Sequence, residues 1–262
     1  MLEARNISYS IAGQKLLNDI SVSFEPAKLH LVIGPNGAGK STLIKVLARL
    51  LRPQHGEVAY DGNSVLETRE ADLAKRRAVL SQAVEAAFPL SVREVVMMGR
   101  YPHFGGRPGP VDERIVDEVM DYFEVTEFAD RNYQTLSGGE RQRVNFARVL
   151  AQLWPGSHVD SSASRYLFLD EPLTFLDIHH QIAFMKKVRE FAAEPDVVTV
   201  GVVHDLNLAA RFADRVSVLR SGGLVATGDP GDVLTVELIR EVFGVEPTFI
   251  PVPLSGIHLV FD

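Results

Sequence analysis

The amino-acid sequence predicts an α/β fold in which a mostly parallel sheet follows a small N-terminal antiparallel β part and is interrupted by a helical insertion. Three observations predict this class. Apolar strand-like runs alternate with helical patterns in the last third of the chain, an apolar run near the N-terminus leads into a glycine-rich loop, and the middle of the chain is dominated by helical patterns. The runs predicted as strands of the parallel sheet lie at residues 29–33, 166–169, 197–203 and 216–219.

The N-terminal segment predicts a β hairpin, a buried strand and a helix. Residues 7–9 and 17–24 alternate with period two around a turn at Gly13, which is typical of a half-exposed antiparallel hairpin. Residues 29–33 are more uniformly apolar and lead directly into the glycine-rich loop. Beyond that loop, apolar residues recur at helical spacing. These are Leu43, Ile44, Leu47, Leu50 and Leu51.

The middle of the chain predicts a helical insertion into the sheet. Helical patterns cover residues 111–123 and 141–153, with a Gly/Pro-rich break at 101–110. We therefore expect one domain over residues 1–262, with a core built from about 1–87 and 165–262 and a helical subdomain at about 88–160. The polar stretch 155–164 predicts a solvated surface loop, 221–223 a hairpin turn, and 232–243 a late helix.

Size and composition exclude several classes of protein. The 262 residues, 46% of them hydrophobic, suffice for one compound domain with a sizeable core. A net charge of -7 argues against a nucleic-acid partner and a polybasic membrane anchor. With no cysteine and no run of ~20 apolar residues, the chain is expected to lack disulfides and thiolate metal sites, and to be neither secreted nor membrane-spanning.

The glycine-rich loop predicts a P-loop NTPase core that binds ATP with Mg²⁺. It fits G-x-x-x-x-G-K-[ST], in which backbone N–H groups approach a phosphate, Lys40 reaches the β- and γ-phosphates, and Ser41 offers its hydroxyl to Mg²⁺. Small kinases, GTPases, motors and ATPases share this loop, but the guanine-reading Asn-Lys-x-Asp is absent from the sequence. The predicted loop residues are Gly34, Pro35, Asn36, Gly37, Ala38, Gly39, Lys40, Ser41 and Thr42.

Residues 136–140, Leu-Ser-Gly-Gly-Glu, distinguish among these classes. Together with the glycine-rich loop they resemble the ABC ATPase family, and the similarity extends over nearly the whole chain. The resemblance implies that Tyr9 stacks on adenine and that Gln82 contacts Mg²⁺, the attacking water and a membrane subunit. It also implies that Asp177, after Leu176, lies in a loop that crosses between two nucleotide sites.

An apolar strand that ends in two carboxylates resembles the Walker B segment of this family. Asp170 can hold the Mg²⁺ shell, while Glu171, one residue past the strand, can polarise a water for in-line attack on the γ-phosphate. His204 follows another predicted strand and matches the family's switch histidine, which bonds the γ-phosphate and orients that water. The predicted catalytic residues are Lys40, Gln82, Glu171 and His204, and the predicted Mg²⁺ residues, acting mostly through ATP and water, are Ser41, Gln82 and Asp170.

A second anion site predicts a homodimer. Ser137, Gly138 and Gly139 precede a helix that is expected to begin near Glu140, so their amides and the helix dipole favour an anion. One ATP has one γ-phosphate, so two phosphate sites per chain are reconciled when two chains face head to tail. The resemblance implies the same dimer, docked on two copies of a polytopic permease at the cytoplasmic face of the bacterial inner membrane, with a periplasmic substrate-binding protein acting indirectly.

The cargo is predicted from two further stretches. Residues 99–103, Gly-Arg-Tyr-Pro-His, and residues 204–215 resemble the ATPases that import iron-siderophores, haem or vitamin B12. Residues 76–82 and the loop between 154 and 166 most resemble the haem importers, so haem is expected, with siderophore or B12 as alternatives. His103, His179 and His180 are interpreted as docking-loop and surface residues rather than haem ligands.

Two readings outside transport stay open. Non-transport ABC ATPases usually carry two cassettes or a long coiled-coil insertion, and the sequence has neither. A plain P-loop kinase is expected to lack the Leu-Ser-Gly-Gly-Glu segment.

Overall fold

The computed structural model describes residues 1–81, 89–156, 163–174, 176–252 and 256–261. Its strands are β1 (Leu2–Ile11), β2 (Gln14–Phe24), β3 (Lys28–Ile33), β4 (His55–Tyr60), β5 (Asn63–Ser64), β6 (Arg77–Leu80), β7 (Arg165–Asp170), β8 (Val197–Val202), β9 (Arg215–Arg220), β10 (Gly223–Gly228), β11 (Pro247–Val252) and β12 (Gly256–Phe261). Its α-helices are α1 (Lys40–Leu47), α2 (Glu70–Arg76), α3 (Val92–Met97), α4 (Pro110–Tyr122), α5 (Gly138–Leu153), α6 (Ile178–Ala192), α7 (Leu206–Phe212), α8 (Pro230–Val233) and α9 (Val236–Phe243). Short 3₁₀ helices lie at Met98–His103, Thr126–Phe128 and Tyr133–Thr135.

The central sheet has six strands in the order β10-β9-β3-β8-β7-β6, and every neighbouring pair except β9 and β10 is parallel. This confirms the predicted α/β class. The register places Val32, Val202 and Asp170 side by side on β3, β8 and β7. The segments that follow these three strands therefore begin at one edge of the sheet, where open α/β sheets bind ligands.

Alternate residues of the central strands pack into two different cores. Tyr166 and Phe168 join the core formed with α1 and the antiparallel sheet, whereas Leu167 and Leu169 join the core formed with the helices on the other face. Because both faces are covered, these strands are apolar along nearly their whole length. The sheet is thus held rigidly between two layers.

The N-terminal β part is a four-stranded antiparallel sheet in the order β2-β1-β4-β5. The predicted hairpin is confirmed, with Ile11 pairing to Gln14 across the turn that contains Gly13. The sequence pattern does not predict β4 and β5, nor does it predict β6 at the edge of the central sheet. Polar exposed residues at the start of β4 and the shortness of β6 obscure their periodicity.

The first and the last predicted helices differ from those in the structure. α1 ends at Leu47, so Leu50 and Leu51 lie outside it; Arg49 takes a left-handed backbone conformation with φ of 54°, which ends the helix. The late helix is two helices, α8 and α9, because Thr235 forms the N-cap of α9 and its hydroxyl accepts from the Leu238 N–H.

The helical insertion contains α4 and α5, as its sequence pattern predicts, and also α3, which the sequence pattern did not predict. The predicted surface loop 155–164 falls largely outside the described residues, as does the boundary at 88. The division of the chain into a core and a subdomain stays a prediction. None of the described helices is both long and apolar enough to span a bilayer.

The 3₁₀ helix Met98–His103 is fastened to the C-terminal turn of α5. A Cβ atom on Gly99 would lie 2.0 Å from the Arg148 carbonyl oxygen, so only glycine allows this approach. The Arg100 guanidinium, 1% exposed, donates to the Ala151 carbonyl at 2.6 Å and to the Asp112 carboxylate at 3.1 Å. We call Gly99, Arg100 and His103 the α5 anchor.

His103 completes the α5 anchor as a neutral side chain. Its Nε2 donates to the Gln152 carbonyl at 2.8 Å. Burial, helped by the nearby Arg100 charge, lowers the pKa of His103 to about 4. The side chain is therefore uncharged near neutral pH, and the expected docking-loop histidine is half-buried and bonded to α5.

Replacing Arg100 by methionine is expected to lower the free energy of unfolding by about 3–5 kcal/mol, because Asp112 would stay buried without its cation. Equilibrium urea unfolding measures this. Arg114→Met is the matched control, since Arg114 pairs with Glu118 on the exposed face of α4 and should cost less than about 1 kcal/mol. Equal losses for the two variants would contradict the structural role of Arg100.

Candidate functional site

The glycine-rich loop connects β3 to α1 and passes close to the backbone at Leu219 and at Leu16. Gly34 has a φ of 151°, and a Cβ atom there would lie 2.2 Å from the Leu219 carbonyl oxygen at the end of β9. The loop ends at Gly39, which is the N-cap of α1. The predicted strand-loop-helix unit is confirmed, and it aims the positive end of α1 at the space above the loop.

That space is a pocket of about 170 Å³ whose lining is mostly backbone and small side chains. The unpaired N–H groups of the first turn of a helix favour an anion, above all a phosphate. Leu16 on β2 and Glu171 after β7 also line the pocket. The lining residues are Leu16, Asn36, Gly37, Ala38, Gly39, Lys40, Ser41, Thr42 and Glu171.

Lys40 brings a buried positive charge to this pocket. Its ammonium donates to the Gly34 carbonyl at 2.7 Å and to the Pro35 carbonyl at 2.9 Å, and the residue is 5% exposed. Burial lowers the pKa of Lys40, while the charges of Glu171 and Asp170 act in the opposite direction. The lysine and the two carboxylates thus share one electrostatic environment.

The two carboxylates occupy different environments. Asp170 is the last residue of β7, and its Oδ1 is buried with no hydrogen-bond partner in the described part of the chain. A buried acceptor without a partner costs about 1–3 kcal/mol, so this orientation favours a ligand that supplies a donor or a cation. Glu171 is less enclosed and lines the pocket.

Glu171 is held in a strained backbone conformation. Its φ is 52°, in the left-handed region that non-glycine residues rarely adopt, and the Thr174 hydroxyl donates to its carbonyl at 3.1 Å to close the turn. Such conformations cost about 1–3 kcal/mol and occur where the surroundings enforce them, often at functional sites. The turn directs the carboxylate back over the sheet edge instead of along the strand.

His204 completes the group. It follows Val203 at the end of β8, and its Nε2 lies 2.9 Å from Glu171 Oε1. Glu171 and His204 also line a second cavity of about 220 Å³, together with Thr174, Gln181 and Asp205. The structure therefore brings Lys40, Asp170, Glu171 and His204 to one edge of the sheet, as the sequence predicts.

Residues 136–140, which we call the signature segment, lie elsewhere in the chain. Ser137 is the N-cap of α5: its hydroxyl accepts from the Glu140 N–H at 3.3 Å, and the Glu140 carboxylate accepts from the Ser137 N–H at 2.7 Å. These bonds lower the pKa of Glu140. The helix begins at Gly138, not near Glu140, so Gly138 and Gly139 belong to its first turn. Among the described residues, none of Ser137 to Gly139 lines the phosphate pocket of its own chain.

Tyr9 and Asp177, two other predicted site residues, do not line the pocket. Tyr9 on β1 is half-buried and pairs with Leu17, the neighbour of the pocket residue Leu16. Asp177 is the N-cap of α6, where its carboxylate accepts from the His180 N–H at 2.9 Å. Gln82 lies outside the described residues.

The histidine pair agrees with its interpretation as surface residues. His179 and His180 lie exposed in the first turn of α6, and His180 bonds Asp177. Over the described ranges, no three His, Cys, Asp or Glu side chains are grouped so that they could hold a metal ion.

Two contacts of the site were not foreseen. Gln142 on α5 donates from its side-chain amide to the carbonyl of Pro172, the residue after Glu171. Gln181 on α6 donates to the Leu176 carbonyl at 3.0 Å, beside Asp177. A single glutamine in a helix does not form a sequence pattern that predicts its contacts, so these two contacts are visible only in the folded structure.

The chain is similar to known proteins over most of its length. The model of a family described as ABC transporter matches residues 17–174. The Hemin import ATP-binding protein HmuV of Escherichia coli O157:H7 is 39% identical over 260 residues, which cover 99% of this chain and 98% of that protein. The protein of the same name from Gloeobacter violaceus is 44% identical, covering 99% and 93%.

A solved structure gives the same result for the fold. The ADP conformation of MJ1267, an ATP-binding cassette of an ABC transporter, superposes with a TM-score of 0.79 and 21% identity, covering 93% of this chain and 98% of that one. The family model and the relatives each span most of the chain, so the chain belongs to the ABC transporter family.

Proposed function

We propose that this chain hydrolyses ATP to power the import of haem through a membrane permease. The observation that carries the catalytic part is the 2.9 Å contact between Glu171 and His204 at the edge of a phosphate-sized pocket. The haem assignment is supported by two relatives named as hemin import ATP-binding proteins, at 39% and 44% identity over nearly the full chain.

The residues at the sheet edge fit Mg-ATP. The N–H groups of the loop and the Lys40 ammonium bind the β- and γ-phosphates. Ser41, in the first turn of α1, and Asp170, with its unpartnered Oδ1, are the groups that would hold Mg²⁺, with Gln82 assigned to the same shell. When bound, Mg²⁺ would supply positive charge that offsets the negative charge of the phosphates. Tyr9 is assigned to the adenine because it lies beside the strand that closes the pocket.

Hydrolysis follows from the positions of the remaining groups. Glu171 accepts a proton from the attacking water, and its strained turn fixes the direction of the carboxylate. His204 orients Glu171 and the water, while Lys40 stabilises the charge on the phosphate oxygens. The proton leaves the water as it attacks the γ-phosphorus, and ADP is the leaving group.

The separation of the signature from the phosphate pocket supports a head-to-tail homodimer. The N-cap Ser137 and Gly138 are exposed at the start of α5, available to a phosphate held by another chain. Asp177 is exposed as well, and Ile178 beside it is 75% exposed, an apolar surface that a second chain would cover. We assign two copies of the permease, docked from the cytoplasmic face of the inner membrane, as the further partners.

Replacing Glu171 by glutamine is expected to reduce ATP turnover by at least about 100-fold, because an amide cannot accept the proton. ATP should then accumulate unhydrolysed and hold the chain as a dimer, measured by light scattering with Mg-ATP. Glu67→Gln, at an exposed position outside the site, is the control and should turn over normally. Normal turnover of Glu171→Gln would remove Glu171 from its proposed role.

Paired cysteines test the head-to-tail arrangement, since the chain has no cysteine of its own. In the Glu171→Gln background, Asn36→Cys and Ser137→Cys in one chain should form a disulfide-linked dimer when Mg-ATP is added and an oxidant is supplied. Each single cysteine is the control, because both residues of the pair are needed across the interface. A double variant that stays monomeric with ATP bound would contradict this dimer.

Reconstitution tests the cargo. The chain is combined with its permease and binding protein in liposomes, and the binding protein is loaded with haem, a ferric siderophore or vitamin B12. Haem alone is expected to stimulate ATP turnover several-fold over the unloaded binding protein. Equal or stronger stimulation by a siderophore or B12 would overturn the haem assignment, and failure to associate with any permease would favour a non-transport ATPase.

A further inference from the structure

The C-terminal hairpin of β11 and β12 offers one free backbone edge to the rest of the protein. Pro247 and Pro251 have no N–H, and they pair with Phe261 and Ile257. These pairs must therefore be the ones that do not exchange hydrogen bonds. Leu259 lies two residues from Phe261 and two from Ile257, so its pair with β11 does not exchange hydrogen bonds either. Its N–H and C=O therefore point away from β11.

Asn207 on α7 binds this free edge with both ends of its side-chain amide. Its Nδ2 donates to the Leu259 carbonyl at 3.0 Å, and its Oδ1 accepts from the Leu259 N–H at 2.7 Å. Leu259 itself is 2% exposed and packs into the core shared with α7. The amide thus takes the place of a neighbouring strand, and both polar groups of Leu259 are satisfied.

The residue three positions before Asn207 is His204. Between them, the Asp205 carboxylate caps α7 by accepting from the N–H groups of Asn207 at 2.7 Å and Leu208 at 3.1 Å. α7 has only seven residues, and a helix this short depends on tertiary contacts for its position. The bonds to Leu259 therefore fix the turn from which His204 reaches Glu171.

We propose that Asn207 is a positioning residue for ATP hydrolysis, which holds His204 against Glu171 by fastening the start of α7 to the C-terminal hairpin. The proposal rests on the catalytic role assigned to His204. Asn207 touches neither the phosphate pocket nor the second cavity, in the linings described above. Its effect is on the chemical step and not on ATP affinity, because the loop that binds the phosphates belongs to β3 and α1.

Steady-state ATP turnover of Asn207→Ala, in the dimer with its permease, tests this. The kcat is expected to fall about tenfold, since small displacements of catalytic groups cost this much or more, while KM for ATP changes less than about twofold. Asn207→Asp keeps the acceptor for the Leu259 N–H but loses the donor, so its kcat should lie between. Asn63→Ala, which removes another amide bond to the backbone, is the control and should leave kcat unchanged.

The double variant with His204→Ala separates positioning from general stability. If Asn207 acts through His204, adding Asn207→Ala to His204→Ala should cause little further loss of kcat. If the double variant instead loses the product of the two single reductions in kcat, Asn207 acts independently of His204 and the positioning role fails. A normal kcat in folded Asn207→Ala would also overturn it. If His204→Ala itself turned over normally, the catalytic role of His204 would fail, a result that is distinct from the failure of Asn207 alone.

Discussion

The parallel register of three central strands is the constraint on which the site depends. Backbone hydrogen bonds align Val32, Val202 and Asp170 in one row, so β3, β8 and β7 end at the same level. The phosphate loop, His204 and Glu171 each begin one or two residues beyond that row. Because both faces of the sheet are packed, the row cannot slip without moving alternate side chains into the wrong core.

The buried cations Arg100 and Lys40 have different roles because their surroundings differ. Arg100 is paired with Asp112 and a helix carbonyl, so its charge is satisfied inside the protein and serves the attachment of a 3₁₀ helix. Within the described part of the chain, the Lys40 ammonium bonds two loop carbonyls, with two carboxylates nearby. It can exchange neutral acceptors for a phosphate, which binds a cation more strongly.

The sequence predicts the sheet and most of the site because residue type and position coincide there. Lys40 follows glycines, Asp170 and Glu171 end an apolar run, and His204 ends another, so local pattern is enough. The capping box formed by Ser137 and Glu140 was not recognised in the sequence, and it explains why α5 begins earlier than expected. Contacts such as Asn207 with Leu259 join residues 52 positions apart and have no local signature.

The α5 anchor gives the signature helix a mechanical property. α5 has 16 residues, which makes a rod about 24 Å long. Its carbonyls at one end are held by Arg100 and His103, and Ser137 stands at the other. A packed helix transmits a push along its axis with little compression, so any displacement applied at the anchor arrives at Ser137 nearly undiminished. The position of Ser137 can thus be set from a point one helix length away.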